Sequence, residues 1–194
     1  MPLYSRKSIT LIELLIAMVL LAVIILAINN VNVFSRYHFI STDRRAKIQN
    51  DASRCLEHIT KYASQAIGNE AVFGGTSAVY AGTNVLSFFM DVNANGLRDT
   101  AGEDYWVGYR LNNSTYQFGY CSHCSDYSCS TCSSAVEYLA NDITVFSATN
   151  NGNYVNADIT ACWNPAGTIA ACNTPDNPSV TMNTSIHLPS VATN

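Results

Sequence analysis

Beyond Ile67 the chain is almost without positive charge. Arg98 and Arg110 are the only basic residues there, against ten acidic ones. Neutralising nucleic-acid phosphates takes clustered Lys and Arg, so no nucleic-acid partner is expected for that region. Proline and glycine are missing from the whole stretch between Ser8 and Gly68, so nothing there is a strong helix breaker. Catalytic patterns are missing too. There is no phosphate loop, no dinucleotide fingerprint and no G-x-S-x-G elbow. The four histidines, His38, His58, His123 and His187, have no spacing that makes a metal set. These absences point away from an enzyme.

What is present begins with a long apolar run. From Ile9 to Ile28 there are twenty residues with one charge, Glu13. A helix of that length covers about 30 Å, the hydrocarbon thickness of a bilayer. A carboxylate inside it costs about 2.5–3.5 kcal/mol on insertion scales, so a partner for Glu13 is expected. A secretory signal has a shorter apolar region followed by a small-residue cleavage site, and Ala27-Ile28-Asn29-Asn30 fits that poorly. A plain anchor would not need Glu13.

Arg6, Lys7 and Ser8 precede the run, which opens Ile9-Thr10-Leu11-Ile12-Glu13. This segment resembles the N-terminus of type IV prepilins and type II secretion pseudopilins, where a basic leader ends in a small residue, usually Gly, and F-T-L-I-E follows. Here Ser8 stands for the Gly and Ile9 for the Phe. The resemblance implies a cleaved leader at 1–8, cut between Ser8 and Ile9 by a prepilin peptidase, then N-methylation of Ile9. It implies an assembly role for Thr10 and Glu13, the carboxylate drawing in the N-terminal amine of a neighbouring subunit. The implied partners are major and other minor pilin-like subunits, an inner-membrane assembly platform and membrane lipid. The implied location is a single-pass inner-membrane protein with its head in the periplasm, then a pilus or pseudopilus.

Residues 9–28 are the transmembrane half of a long helix, and 29–67 its amphipathic half. Ile48, Ala52, Cys55, Ile59, Tyr62 and Ala66 recur at alternating spacings of four and three, which sets them on one face. Leu56, Ala63 and Ile67 widen the stripe. Gly68-Asn69 reads as the stop. A continuous helix from Ile9 to Ile67 would measure about 88 Å. Arg36, Arg44, Arg45 and Lys47 are placed to meet lipid headgroups or acidic patches on neighbours, or to form a solvated face.

Residues 68–194 read as a β head. Val85–Met90, Tyr105–Leu111, Tyr116–Tyr120 and Ile143–Phe146 are rich in aromatic and β-branched residues. Ala135–Leu139 is a short strand or a helical turn, and Val180–Leu188 a closing strand. The C-terminal third is otherwise loop-rich. One long helix followed by an antiparallel sheet is an α+β arrangement, with the helix stripe buried on one sheet face. The closing strand resembles those of minor pilins and pseudopilins.

Asp91, Asn93 and Asn95 offer oxygens at positions 1, 3 and 5 of a calcium-type loop. Gly96 falls at 6, the Leu97 carbonyl at 7 and Asp99 at 9. Position 12 is Gly102, so the bidentate Glu is absent, although Glu103 adjoins it. The competing reading is a metal-free hairpin loop turned by Asn95-Gly96. Calcium is the cofactor this loop suggests.

Cys121, Cys124, Cys129 and Cys132 form two C-x-x-C pairs only four residues apart, against about 12–20 in common zinc modules. An exported head favours disulfides. The four are symmetric about a point between Asp126 and Tyr127, so a regular hairpin would nest Cys124–Cys129 inside Cys121–Cys132. Pairs three apart differ in hydrogen-bonding type, so one such bridge is strained. A bulge shifts the register and brings Cys121–Cys129 or another pairing within reach. Cys162 and Cys172 enclose nine residues and are expected to bridge, leaving Cys55 as a buried thiol. The rival reading is a membrane-tethered metal-binding or sensory head built on the cluster. The reading adopted is a minor pilin-like structural subunit of a type IV pilus or a type II secretion pseudopilus.

Overall fold

The computed structural model describes residues 10–66, 78–93, 104–152, 154–166 and 171–188. The chain divides into two compact units, Met1–Thr42 and Asp43–Asn194. Helix α1, Leu11–Ala63, begins in the first and ends in the second. It is helical straight through Asn29, Asn30 and Asn32, whose weak propensity does not interrupt it.

In the first unit the apolar side chains, Leu14, Leu21 and Ile28 among them, are exposed. The helix is long and apolar enough to cross a membrane.

In the second unit the helix turns one face inward. Ile48, Ala52, Cys55, Leu56, Ile59 and Ala63 are buried, as the four-and-three spacing requires. The helix stops at Ala63 in a tight turn, with Gln65 N–H donating to the Tyr62 carbonyl at 3.1 Å. Gly68 and Asn69, expected as the stop, lie outside the described residues.

Among the described residues, eight strands form two antiparallel sheets, where the sequence suggested one. In the first, β1 (Val79–Gly82), β2 (Val85–Met90), β3 (Tyr105–Asn112), β4 (Gln117–Cys124) and β5 (Glu137–Ala140) lie in chain order. In the second, β6 (Ile143–Asn150), β7 (Tyr154–Cys162) and β8 (Ser179–His187) do the same. Thr83 bridges Ser147 across the sheets, and Asn84 N–H donates to the Phe146 carbonyl at 3.0 Å. The α+β class therefore holds, with the loop-rich C-terminal region containing a full sheet.

Side-chain alternation sorts the first sheet's two faces. Leu86, Phe88, Val107, Tyr109, Phe118 and Tyr120 join the helix stripe in the main core. That core continues through Phe146, Val155, Ile159 and Ile186 of the second sheet. The opposite face is also covered. Phe89, Trp106, Cys121, Cys124 and Cys129 form a second, smaller cluster beneath the segment that follows β4. Burial on both faces explains why Leu86–Met90 of β2 and Trp106–Tyr109 of β3 are buried without alternation.

Candidate functional site

At its N-terminus the helix is capped by its own sequence. The Glu13 carboxylate accepts from Thr10 N–H and from Thr10 Oγ1, both at 2.9 Å, and Glu13 N–H donates to Thr10 Oγ1 at 3.4 Å. This is a capping box. Thr-x-x-Glu is a recognised signature of that motif, and sequence reasoning treated Glu13 only as an intermolecular partner. The charge expected to seek a neighbour's amine thus already has a local hydrogen-bonding role. Ser8 and Ile9, the expected cleavage junction, lie outside the described residues.

The calcium-type loop falls across the described boundary. Asp91 is buried and Asn93 follows strand β2. Asp104, just ahead of β3, accepts from Val92 N–H at 3.1 Å. Asn95, Leu97 and Asp99 lie outside the described residues.

The cysteine segment departs from the symmetric hairpin. Cys124 is bridged to Cys132, and Cys162 to Cys172. Cys121 and Cys129 carry free, buried thiols, as does Cys55. The nested pairing of Cys121 with Cys132 and Cys124 with Cys129 is therefore corrected. Cys55, expected as the unpaired thiol, is unpaired, and in this structure Cys121 and Cys129 are unpaired beside it.

The cause is the turn. Ser125 N–H donates to the Thr131 carbonyl at 3.0 Å and Ser133 N–H to the His123 carbonyl at 3.1 Å, so Cys124 faces Cys132. The loop is longer than the four residues of the symmetric hairpin because Asp126 gathers it. Its carboxylate accepts from Ser128 N–H at 2.7 Å, from Ser130 Oγ at 2.9 Å and from Thr131 Oγ1. Slight burial pushes the Asp126 pKa up, but these hydrogen bonds outweigh it and hold the carboxyl well below its usual range. His123 and Cys129 both take positive φ, 55°, which reverses the chain twice and returns Cys129 to the sheet.

Gly108 makes room for that return. A Cβ on Gly108 would stand 1.6 Å from the Cys129 sulfur. Cys121 is paired with Gly108 in the β3–β4 register. The sulfurs of Cys121, Cys129 and Cys132 all lie within 4.8 Å of one another. A hydrogen bond from Cys121 is the main influence pulling the Cys129 thiol down to about 7, against the opposing effect of burial. Giving that hydrogen bond, and then burial, drives Cys121 strongly up. The arrangement is suited to thiol–disulfide chemistry. A four-thiolate metal site would need the two sulfurs that the Cys124–Cys132 bridge consumes.

Two of the basic residues expected to face lipid or neighbours are engaged within the head. Arg44 donates to the Asp176 carbonyl at 2.5 Å. Arg44 and Lys47 lie 5.6 and 4.9 Å from the centre of the Trp163 ring. Trp163 follows the bridged Cys162. Asn177 secures that loop through Asn164 N–H at 2.9 Å and the Asn164 carbonyl at 3.0 Å. Nothing in the sequence around Trp163 pointed to this cation–π pair, which spans more than a hundred residues.

Residues 4–29 match the family model of the prokaryotic N-terminal methylation motif. No curated protein and no solved structure matches the chain.

Proposed function

Since this is a type IV pilin-like chain, carrying the methylation motif at its N-terminus, we propose that it is a minor pilin-like structural subunit of a type IV pilus or a type II secretion pseudopilus. A prepilin peptidase hydrolyses the Ser8–Ile9 bond, and the freed Ile9 amine takes a methyl group from a methyl donor. Residues 9–28 store the protein in the inner membrane, with its head in the periplasm, until it joins other pilin-like subunits through the assembly platform. It acts as a building block, not as an enzyme. The observation that carries this reading is Glu13, the only charge in the apolar run, at the very start of an exposed apolar helix. Its burial in lipid becomes tolerable when an amine shares the site, because a buried charge needs a paired, hydrogen-bonded partner. The disulfide-stapled head suits an exported location.

Intact-mass analysis of the membrane-extracted protein tests the processing. The expected chain begins at Ile9 and carries one added methyl. A chain retaining Met1, or one starting near Asn29, overturns the proposal.

A further inference from the structure

We propose that Cys121 and Cys129 are oxidised to a second disulfide that crosses the Cys124–Cys132 bridge. Two interleaved staples then close the back face of the five-stranded sheet. This inference requires export to an oxidising compartment but not assembly into a filament.

Geometry carries it. Cys121 sits in the middle of β4 and opposite Gly108 of β3. Cys129 belongs to the overlying loop, yet its sulfur fills the space that any side chain at 108 would occupy. Both are buried, in one small apolar cluster with Phe89 and Trp106. Their sulfurs lie within 4.8 Å, so side-chain rotation and a small loop shift bring them to the roughly 2.05 Å of a bond. The β3–β4 register shift between Trp106 and Gly108 lies beside this point and sets Cys121, rather than Ser122, against Gly108. The new loop would have the same sequence separation as the existing bridge.

The chemistry is balanced by an external oxidant, the disulfide form of a thiol–disulfide oxidoreductase. The Cys129 thiolate attacks one carrier sulfur and expels the other as a thiolate. The Cys121 thiol gives up its proton to solvent, attacks the Cys129 sulfur and expels the first carrier sulfur. Two thiols lose two protons and two electrons, and the carrier disulfide becomes a dithiol. The lowered pKa of Cys129 makes it the first nucleophile near neutral pH, and the raised pKa of Cys121 makes it the resolving partner. Both cysteines line an open groove with Arg110, Asn112 and Tyr138, which gives the carrier an approach.

The full-length protein, extracted from membranes, is denatured without reductant and alkylated. The expected result is that only Cys55 is labelled. Cys129→Ser should add Cys121 alone to the labelled set, and Cys121→Ser should add Cys129 alone. Labelling of Cys55, Cys121 and Cys129 together in the unsubstituted protein overturns the proposal. So does release of Cys124 by Cys129→Ser, which reports the nested pairing, or release of Cys132, which reports a Cys129–Cys132 bridge, and so do four labelled cluster thiols with stoichiometric zinc. If a substituted chain fails to accumulate, stepwise partial reduction and alkylation of the unsubstituted protein reads the connectivity directly. Crossed pairs then support the proposal and any other pairing overturns it.

Discussion

The Tyr109 hydroxyl is held by two atoms of His58. It donates to the His58 backbone carbonyl at 3.0 Å and stands 3.0 Å from the ring Nδ1. A phenol has a single hydrogen. With that hydrogen on the carbonyl, Nδ1 must supply the other, so His58 carries its proton on Nδ1. The pair joins the last turns of the helix to the centre of the first sheet. Tyr62 and Tyr120 pack their rings against the same imidazole, 5.1 and 4.7 Å between centres.

Tyr109→Phe keeps the ring and removes both hydrogen bonds. Tyr109 is fully buried, so the His58 ring N–H is left without this partner, while the His58 carbonyl keeps its bond within the helix. A loss of about 1–3 kcal/mol is expected, read as a lower melting temperature of the detergent-solubilised protein. An unchanged melting temperature would mean the contact contributes nothing.

Stability should also fall with acid through His58. Burial lowers its pKa, Glu137 opposes that, and Lys61 and Arg54 add to it. A histidine with a lowered folded pKa is neutral in both states above about 6.5. Below that, the unfolded chain binds the proton more readily, so stability drops as pH falls from about 6.5 toward the folded value. His58→Asn preserves an N–H donor without the titration. Its melting temperature should vary less between about pH 7 and 5 than that of the parent. Parallel pH profiles would exclude His58 as the cause.

Gly108→Ala places a methyl group on the Cys129 sulfur. The sulfur must leave its slot, and overpacking of this kind costs about 1–3 kcal/mol. Thermal unfolding should register that loss. Gly82→Ala, whose new Cβ would meet nothing nearer than 3.6 Å, serves as the tolerant comparison.

The capping contacts of Glu13 can be separated from the assembly role proposed for it. Glu13→Gln retains an acceptor for Thr10 but loses the charge, while Glu13→Ala loses both. Each should still insert and be cleaved, because removing a buried charge favours insertion. Both are expected to fail to enter filaments. If Glu13→Gln is incorporated normally and Glu13→Ala is not, capping explains the requirement and the amine-pairing role is lost.

Trp163→Ala removes the ring that Arg44 and Lys47 both approach. A partly exposed cation–π contact contributes about 0.5–1 kcal/mol. Loss of both should lower the melting temperature modestly. Lys47→Met keeps the stem and isolates the charge. An effect of Trp163→Ala that persists unchanged in Lys47→Met would assign it to packing alone.

The sequence by itself determined the elements whose causes are local. A twenty-residue apolar run, a Thr-x-x-Glu start and a stripe at alternating four and three spacing each depend on neighbours within a turn or two. The strands from Val85 and Tyr105 depend on residue type along a short run. Strand β7 was equally legible, since Val155, Ala157, Ile159 and Ala161 alternate strictly and are all buried. Its small alanines nonetheless give only a weak apolar signal among loop residues. The cysteine pairing was decided only by tertiary structure. Spacing alone treated the four sulfurs as a regular hairpin, whereas Asp126 widens the turn and a missing side chain at Gly108 draws Cys129 down onto the sheet. The same holds for Arg44 and Lys47. Their charge was visible in the chain, but Trp163 lies far away in sequence, and only folding brings its ring beneath them. Local periodicity is written in adjacent residues, while the choice among partners is a matter of which surfaces the sheets bring together.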